Sequence, residues 1–422
     1  MAAASLGVLA GLLYLLLPFA IQRTALPRNV LFVGVLAGLL ARLFLFASEP
    51  ILENDYFRYL WDGAVLASGE NPYRWSPADV LTGIAPAAFH NLSVEAGQVV
   101  AQIGYPDLRT IYPPLGVLIF GLAHLADPWG LTGLRGLYLL ADTVTLALLL
   151  ALLRQFGRPP VWALIYWLNP LSIQMTFNAM HMDALLLPFL LGAFLLAVRN
   201  RPGGATFLLV LAAGVKLWPV LLAPVLLRHA APTLRQTLVW MLLFAAGFVV
   251  LLLPLYFSGP AETSGLFAYG SDWRKNEIVF GLVVSLFDGL LAVFDAVRID
   301  AERLARLAVA GALTLLALLL ALLARPKDDR ALAVSVLMLV ACLFIFVPSP
   351  YPWYFIWLLP FLSLVPMTAI LCWTATLPLY QLRFHSYFMD NDGMFENGIV
   401  WLEHGVPITL IIITLLIRIV RR

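Results

Sequence analysis

The sequence predicts an all-helical polytopic membrane protein, and three observations predict it. Hydrophobic residues make up 62% of the 422-residue chain and charged residues only 12%, about half the share of a soluble domain. Mean hydropathy is +0.91. Long apolar runs recur from end to end without the two-residue alternation of a barrel strand, so helices must satisfy the lipid-exposed backbone.

Residues 5–21 form the first run, read as a retained span because no charged segment precedes it and no cleavage site follows. Further runs cover 30–47, 137–153, 185–198, 237–256, 307–324, 332–347 and 408–420. A crossing helix takes about 20 apolar residues, which gives roughly eleven to thirteen spans. One membrane domain, 1–422, is expected, because no polar linker is long enough to divide it. Its hydrophilic interruptions are 48–111, 259–278 and 381–404.

The first interruption holds eight acids (Glu49, Glu53, Asp55, Asp62, Glu70, Asp79, Glu95, Asp107) against three arginines, Arg58, Arg74 and Arg109. Basic residues gather instead in short turns: Arg23/Arg28, Arg154/Arg158, Arg199/Arg201, Arg228/Arg235, Arg325/Lys327/Arg330 and Arg418/Arg421/Arg422. Positive-inside counting places those turns in the cytoplasm and the acidic 48–111 loop outside. Two segments strain this reading. If 114–126 and 137–153 both cross, Arg154 and Arg158 land outside, so either one segment is short or re-entrant or the rule fails there. Residues 280–297, with Asp288 and Asp295 at helical spacing, fit a helix lying along the surface.

Net charge +2 argues against a nucleic-acid partner. Cys342 and Cys372 lie in apolar surroundings and read as inert small hydrophobes.

Chemistry concentrates at residues 53–63, where Glu53, Asp55, Asp62 and Arg58 crowd the end of an apolar run. Two carboxylates two positions apart can bind a divalent metal or act as a general base, and a low dielectric nearby raises a carboxylate pKa. A solvated helix end is the plain alternative. A helix over 53–67 aligns Asp55, Arg58 and Asp62 on one face, so an Arg58–Asp62 ion pair is expected. His181 and Asp183 end another span, after Asn169-Pro170 and Asn178; ionisable residues facing a bundle interior are functional candidates, with snorkelling as the alternative. Lys216 sits mid-segment, where a lysine costs about 2.5–3.5 kcal/mol on insertion scales. It reads as a point charge for a phosphate. Tyr112-Pro113-Pro114 opens a helix whose N–H groups can meet an anion. Asp272-Trp273-Arg274-Lys275 brings two cations to an outer loop, and Pro352-Trp353-Tyr354 starts another span with an aromatic belt.

In order, Gly69-Glu70-Asn71-Pro72-Tyr73, Tyr112-Pro113-Pro114-Leu115, Trp167-Leu168-Asn169-Pro170, Asp183, Lys216-Leu217-Trp218-Pro219 and Pro352-Trp353-Tyr354 resemble the GT-C membrane glycosyltransferases. Among these the chain is most similar to the polyprenyl- or dolichyl-phosphate-mannose-dependent mannosyltransferases, including the enzyme that adds the first mannose to GPI anchors. The resemblance covers about residues 45–360. It implies a GT-C fold and inverting transfer of a hexose, mannose above others, from a polyprenyl-phosphate donor to a lipid or glycan acceptor. It implies a catalytic acid in the first outer loop, which here matches Asp55, with Glu53 as partner; which of the two is the base stays open. His181 and Asp183 match a second polar site, and Lys216 matches the family's lysine before proline. A lipid monophosphate leaving group needs cations or N–H dipoles aimed at its developing charge, so Arg58, Lys216 and Arg274 are candidates. Tyr59 and Tyr112 complete the expected substrate contacts. A divalent metal is left open.

Two rivals follow from other classes. A transporter or lipid-carrier flippase would carry mid-bilayer charges in two related halves, and no internal repeat is found. An O-antigen ligase would lean on outer-loop arginines, where this loop is acidic. The composition suits a bacterial inner membrane, with the site facing the periplasm or exterior.

Overall fold

Leucine, alanine, valine and phenylalanine runs leave the chain one way to satisfy its backbone in lipid, and it takes that way throughout. A computed structural model describes residues 1–23, 27, 29–259, 264–293, 300–323 and 328–420, and no strand occurs among them. Arg28, Asp295, Arg325, Lys327, Arg421 and Arg422 lie outside the described residues, as does the side chain of Arg418. Among the described residues, six helices are long and apolar enough to cross a membrane: Ala2–Arg23, Thr132–Gln155, Leu234–Tyr256, Ala301–Leu323, Asp329–Phe346 and Phe395–Ile417. A bent pair, Pro170–Phe177 with Met182–Val198, makes a seventh. The chain is therefore an all-α polytopic membrane protein, as its composition predicts.

The expected difficulty over Arg154 and Arg158 has a structural answer. Helix Pro114–Ala126 has 13 residues, about 20 Å at 1.5 Å per residue, and falls short of a hydrocarbon core of about 30 Å. The next helix, Thr132–Gln155, starts on the same face. Arg135 near its start donates to the carbonyls of Phe46 and Ser48, just beyond helix Asn29–Leu45. Pro114–Ala126 thus returns to the face that carries the first loop, and Arg154 and Arg158 reach the opposite one. There Arg158 bonds the Leu364 carbonyl, and His229 meets Asp329 at 3.0 Å.

Helix Val279–Val293 is, at 15 residues, also shorter than a full span. Arg274 lies over Phe280 at its start and pairs with Glu302 of the following helix. The starts of Val279–Val293 and Ala301–Leu323 therefore lie side by side, with Arg306 also over Phe280. Asp288 is exposed.

Buried polar groups lock the frame. Arg42 pairs with Asp142 at 2.5 Å, donates to the Gly38 and Trp167 carbonyls, and lies 3.6 Å from the Trp167 ring centroid. The Tyr166 hydroxyl donates to the same carboxylate. The Arg42 Nη2 is left without a partner, yet the ion pair neutralises the charge at this depth, and removal of either partner would leave the other stranded. At Gly11 the backbone of the first helix lies directly against Ala375, so any side chain there would collide with main chain.

The first loop packs on a small core of its own. Trp61, Val65, Val80, Phe89, Leu92 and Val100 are buried together, beneath short helices such as Pro77–Leu81, whose Ser76 and Asp79 form a reciprocal capping box. The loop is thus a fixed rim.

Candidate active site

Helix Asp55–Ala67 sets the first wall. Asp55 stands in its first turn, where the positive helix end favours a carboxylate. Gly63 lets this helix press against Pro114–Ala126: a Cβ there would lie 2.5 Å from the Phe120 carbonyl oxygen. Arg58, one turn on, spends its guanidinium on the carbonyls of Leu108, Gly104 and Tyr105 at 3.0, 3.2 and 2.9 Å. It clamps the loop's return strand of chain. The expected Arg58–Asp62 pair does not form within 4 Å among the described residues. Asp62 is buried instead, which raises its carboxyl to about 6 against the opposing pull of Arg58 and the Thr110 hydroxyl.

The second wall is a broken helix. The chain turns by 102° between Pro170–Phe177 and Met182–Val198. Asn169 caps the first piece, accepting from Ser172 N at 3.0 Å with Pro170 in the first turn. Met180 takes a left-handed φ of 63° at the corner. The freed carbonyls are met by protein: Arg135 donates to Phe177 O, and Tyr138 to Met180 O at 3.0 Å. Broken backbone at membrane depth is tolerated where it lines a cavity. The break delivers His181 and Asp183.

His181 lies between the two acids. Its Nδ1 is 3.6 Å from Asp55 Oδ2, its Nε2 3.9 Å from Glu53 Oε2, and its ring stacks on Trp353 with centroids 3.5 Å apart. Because different ring nitrogens face the two acids, one metal ion cannot take His181 together with both. Among the described residues no group of three or more His, Cys, Asp or Glu side chains is arranged to hold a metal.

Lys216 comes from a second break. Helix Pro202–Val215 ends there, Lys216 is extended (φ −145°, ψ 145°), and Trp218–Leu222 continues as a 3-10 turn. Its ammonium sits 2.7 Å from Asp183 Oδ1, the atom that also accepts from Trp357 Nε1 at 2.8 Å. The rings of Tyr354 and Trp357 lie 4.3 and 5.3 Å from Nζ, within cation–π range.

These walls enclose a cavity of about 670 Å³ that opens among the first loop, residues 266–275, and the segments around 351–357 and 380–396. Glu53, Asp55, Arg58, Tyr59, Tyr112, Asp183 and Lys216 all line it; His181 lies behind them, buried. Tyr59 packs edge-on to Tyr112 and flat on Phe120, at 5.0 and 4.6 Å between centroids. Tyr112 and Pro113 bring the N-terminus of Pro114–Ala126 to the surface. Asp55 keeps 43% of its side chain open to the cavity and Glu53 only 12%. Protein surrounds both acids elsewhere, and this desolvation raises Asp55 to about 6 and Glu53 to about 8.

Arg274, expected at the substrate, bonds Glu277 and Glu302 instead and does not line the cavity. Lys275, its neighbour, does. So does Arg383, which donates to the Tyr380 hydroxyl at 2.9 Å, and Arg109, which is held by the carbonyls of Tyr73 and Ser258. The 381–404 interruption signalled Arg383 only as part of a polar stretch; nothing in its spacing pointed to a site 330 positions from Glu53. Among the cavity's cations within the described residues, the Lys275 ammonium has no bonded partner.

A family model described as "Alpha-(1->6)-mannopyranosyltransferase, N-terminal domain" matches residues 2–232, more than half of the chain. The matched stretch holds Glu53, Asp55, His181, Asp183 and Lys216, while Lys275, Trp353 and Arg383 lie beyond it. No curated protein matches the chain, and no solved structure matches it.

Proposed function

The chain belongs to the alpha-(1->6)-mannopyranosyltransferase family and is a membrane mannosyltransferase, and we propose that it takes mannose from a polyprenyl phosphate by inverting displacement. The acceptor is a lipid-linked or free glycan hydroxyl. The reaction face is the one that carries the acidic first loop, read as extracytoplasmic, in a bacterial inner membrane.

The observation that carries this reading is Asp55. Its carboxylate opens on a cavity that is also lined by Lys275, whose ammonium has no bonded partner among the described residues. A general base must reach the acceptor proton, and the leaving group must meet positive charge on the other side of the sugar. Asp55 takes the proton of the acceptor hydroxyl as its oxygen bonds to C1. The C1–O bond to phosphate breaks, and its electron pair leaves with the lipid monophosphate. Lys275 and Arg383 meet that phosphate, because Arg58 and Arg109 are spent on carbonyls. Lys216, neutralised by Asp183, supplies directed N–H donors near the reacting centre. The aromatic walls of Tyr351, Trp353, Tyr354 and Trp357 suit sugar faces and the first isoprene units. Inversion with an α-linked product requires a β-linked donor.

The test is transfer by purified full-length protein in lipid nanodiscs, given β-mannosyl phosphoryl polyprenol and a mannan oligosaccharide. Wild type should form an α-linkage by NMR, and Asp55→Asn should lose at least a thousandfold in rate. Full transfer by Asp55→Asn, or a β-linked product, would overturn the reading.

A further inference from the structure

Two acids face one imidazole from opposite ends, and only one of them opens widely on the cavity. Asp55 is the open one; Glu53 is largely covered; His181 touches no cavity surface and stacks flat on Trp353. The ring nitrogen facing Glu53 is buried and has no hydrogen-bond partner. The two gaps, 3.6 and 3.9 Å, lie about 0.6 and 0.9 Å beyond hydrogen-bond length. Bonds of this kind tighten when substrate binds.

We infer that Glu53 is a protonated acid that donates to His181 Nε2, and that His181 in turn donates from Nδ1 to Asp55, orienting the base. The inference rests on the reading of Asp55 as base. Glu53 and His181 are positioning residues: neither takes the acceptor's proton. The hydrogen on Glu53 fixes the imidazole tautomer, as any hydrogen bond to one ring nitrogen fixes the other. Nδ1–H then holds Oδ2 of Asp55 and leaves Oδ1 for the acceptor. Trp353 keeps the ring in plane. No proton is consumed in this chain, so the atom balance of the transfer is unchanged.

Charge supports the assignment. Glu53 faces Asp55 and Arg383, and Asp55 faces Lys216, Asp183 and Arg58. Two adjacent carboxylates around a covered imidazole do not both ionise readily, and the covered one keeps its proton to about pH 8. The arrangement separates the acids by role: one is open and charged, the other closed and neutral.

The experiment is the pH profile of kcat/KM, pH 5 to 9, for full-length protein with β-mannosyl phosphoryl polyprenol. Wild type should show an acid limb near 6 and an alkaline limb near 8. Glutamine at 53 can donate as a protonated acid does but cannot ionise. Glu53→Gln should therefore keep at least a tenth of the wild-type rate and lose the alkaline limb. His181→Phe, which preserves the stack on Trp353, should lower kcat ten- to a hundredfold, hold donor KM within twofold, and move the acid limb upward. A Glu53→Gln protein as inactive as Asp55→Asn would make Glu53 the base. An alkaline limb unmoved in Glu53→Gln would also overturn the inference. Full activity in Asp55→Asn would instead sink the reading beneath it. Matching melting curves and donor KM separate these outcomes from misfolding.

Discussion

Lys216 and Asp183 form a buried ion pair of 2.7 Å that joins the two helix breaks of the site. Lys216→Met strands the Asp183 carboxylate with the Trp357 N–H and a backbone N–H but no cation. The expected cost is about 3–5 kcal/mol, read as a lower melting temperature. Lys216→Met with Asp183→Asn removes both charges and should recover more than half of that loss. A double-mutant cycle that came out additive would refute the coupling.

Lys275, without a bonded partner, and Arg383, held only by the Tyr380 hydroxyl, are the cavity cations left to meet a phosphate. Alanine at either should raise donor KM roughly ten- to a hundredfold, the scale of a lost charge-assisted hydrogen bond of about 1.5–3 kcal/mol. Arg274→Ala serves as the contrast, because its partners are Glu277 and Glu302. It should change donor KM by less than about twofold and register in thermal stability instead, as a rim ion pair does.

Arg58 holds the loop by three carbonyls, a fork that an ammonium cannot reproduce. Arg58→Lys should loosen residues 104–108 and cost about 1–3 kcal/mol. Limited proteolysis should show new cleavage in that stretch. Unchanged cleavage, with a large rise in donor KM, would return Arg58 to the phosphate.

Asp55 and Glu53, raised to about 6 and about 8, also tie stability to pH. The folded state holds protons that the unfolded chain releases near pH 4. Their contribution is full below the unfolded values and is lost as pH climbs through 6 and then 8. The melting temperature should fall across that window, and the slope should flatten in Glu53→Gln/Asp55→Asn. A flat profile in the wild type would mean the acids are solvated.

Hydropathy made the helices legible, and the acidic stretch at 53–63 located one wall of the cavity. The tension over Arg154 was visible too, since a short 114–126 segment was one of its two resolutions. Side-chain partners were not visible. A helix wheel puts Arg58 beside Asp62, but burial of the helix face turned Arg58 toward carbonyls that needed donors. Arg274 and Lys275 are adjacent in sequence, and the local pair with Glu277 together with the tertiary position of Glu302 decides which one is occupied. Arg383 was out of reach because its place depends on how the last helices pack against the first loop.

Trp353 and Trp357, which support His181 and Asp183, enter the ribosomal exit long after the residues they hold. During synthesis the base, imidazole and Lys216 are already in the membrane while their stacking partners and the free cations are still untranslated. The nascent enzyme thus waits with its site unstacked and open in a half-built bundle, and insertion factors that shelter polar helix breaks should matter most to it before residue 383 emerges.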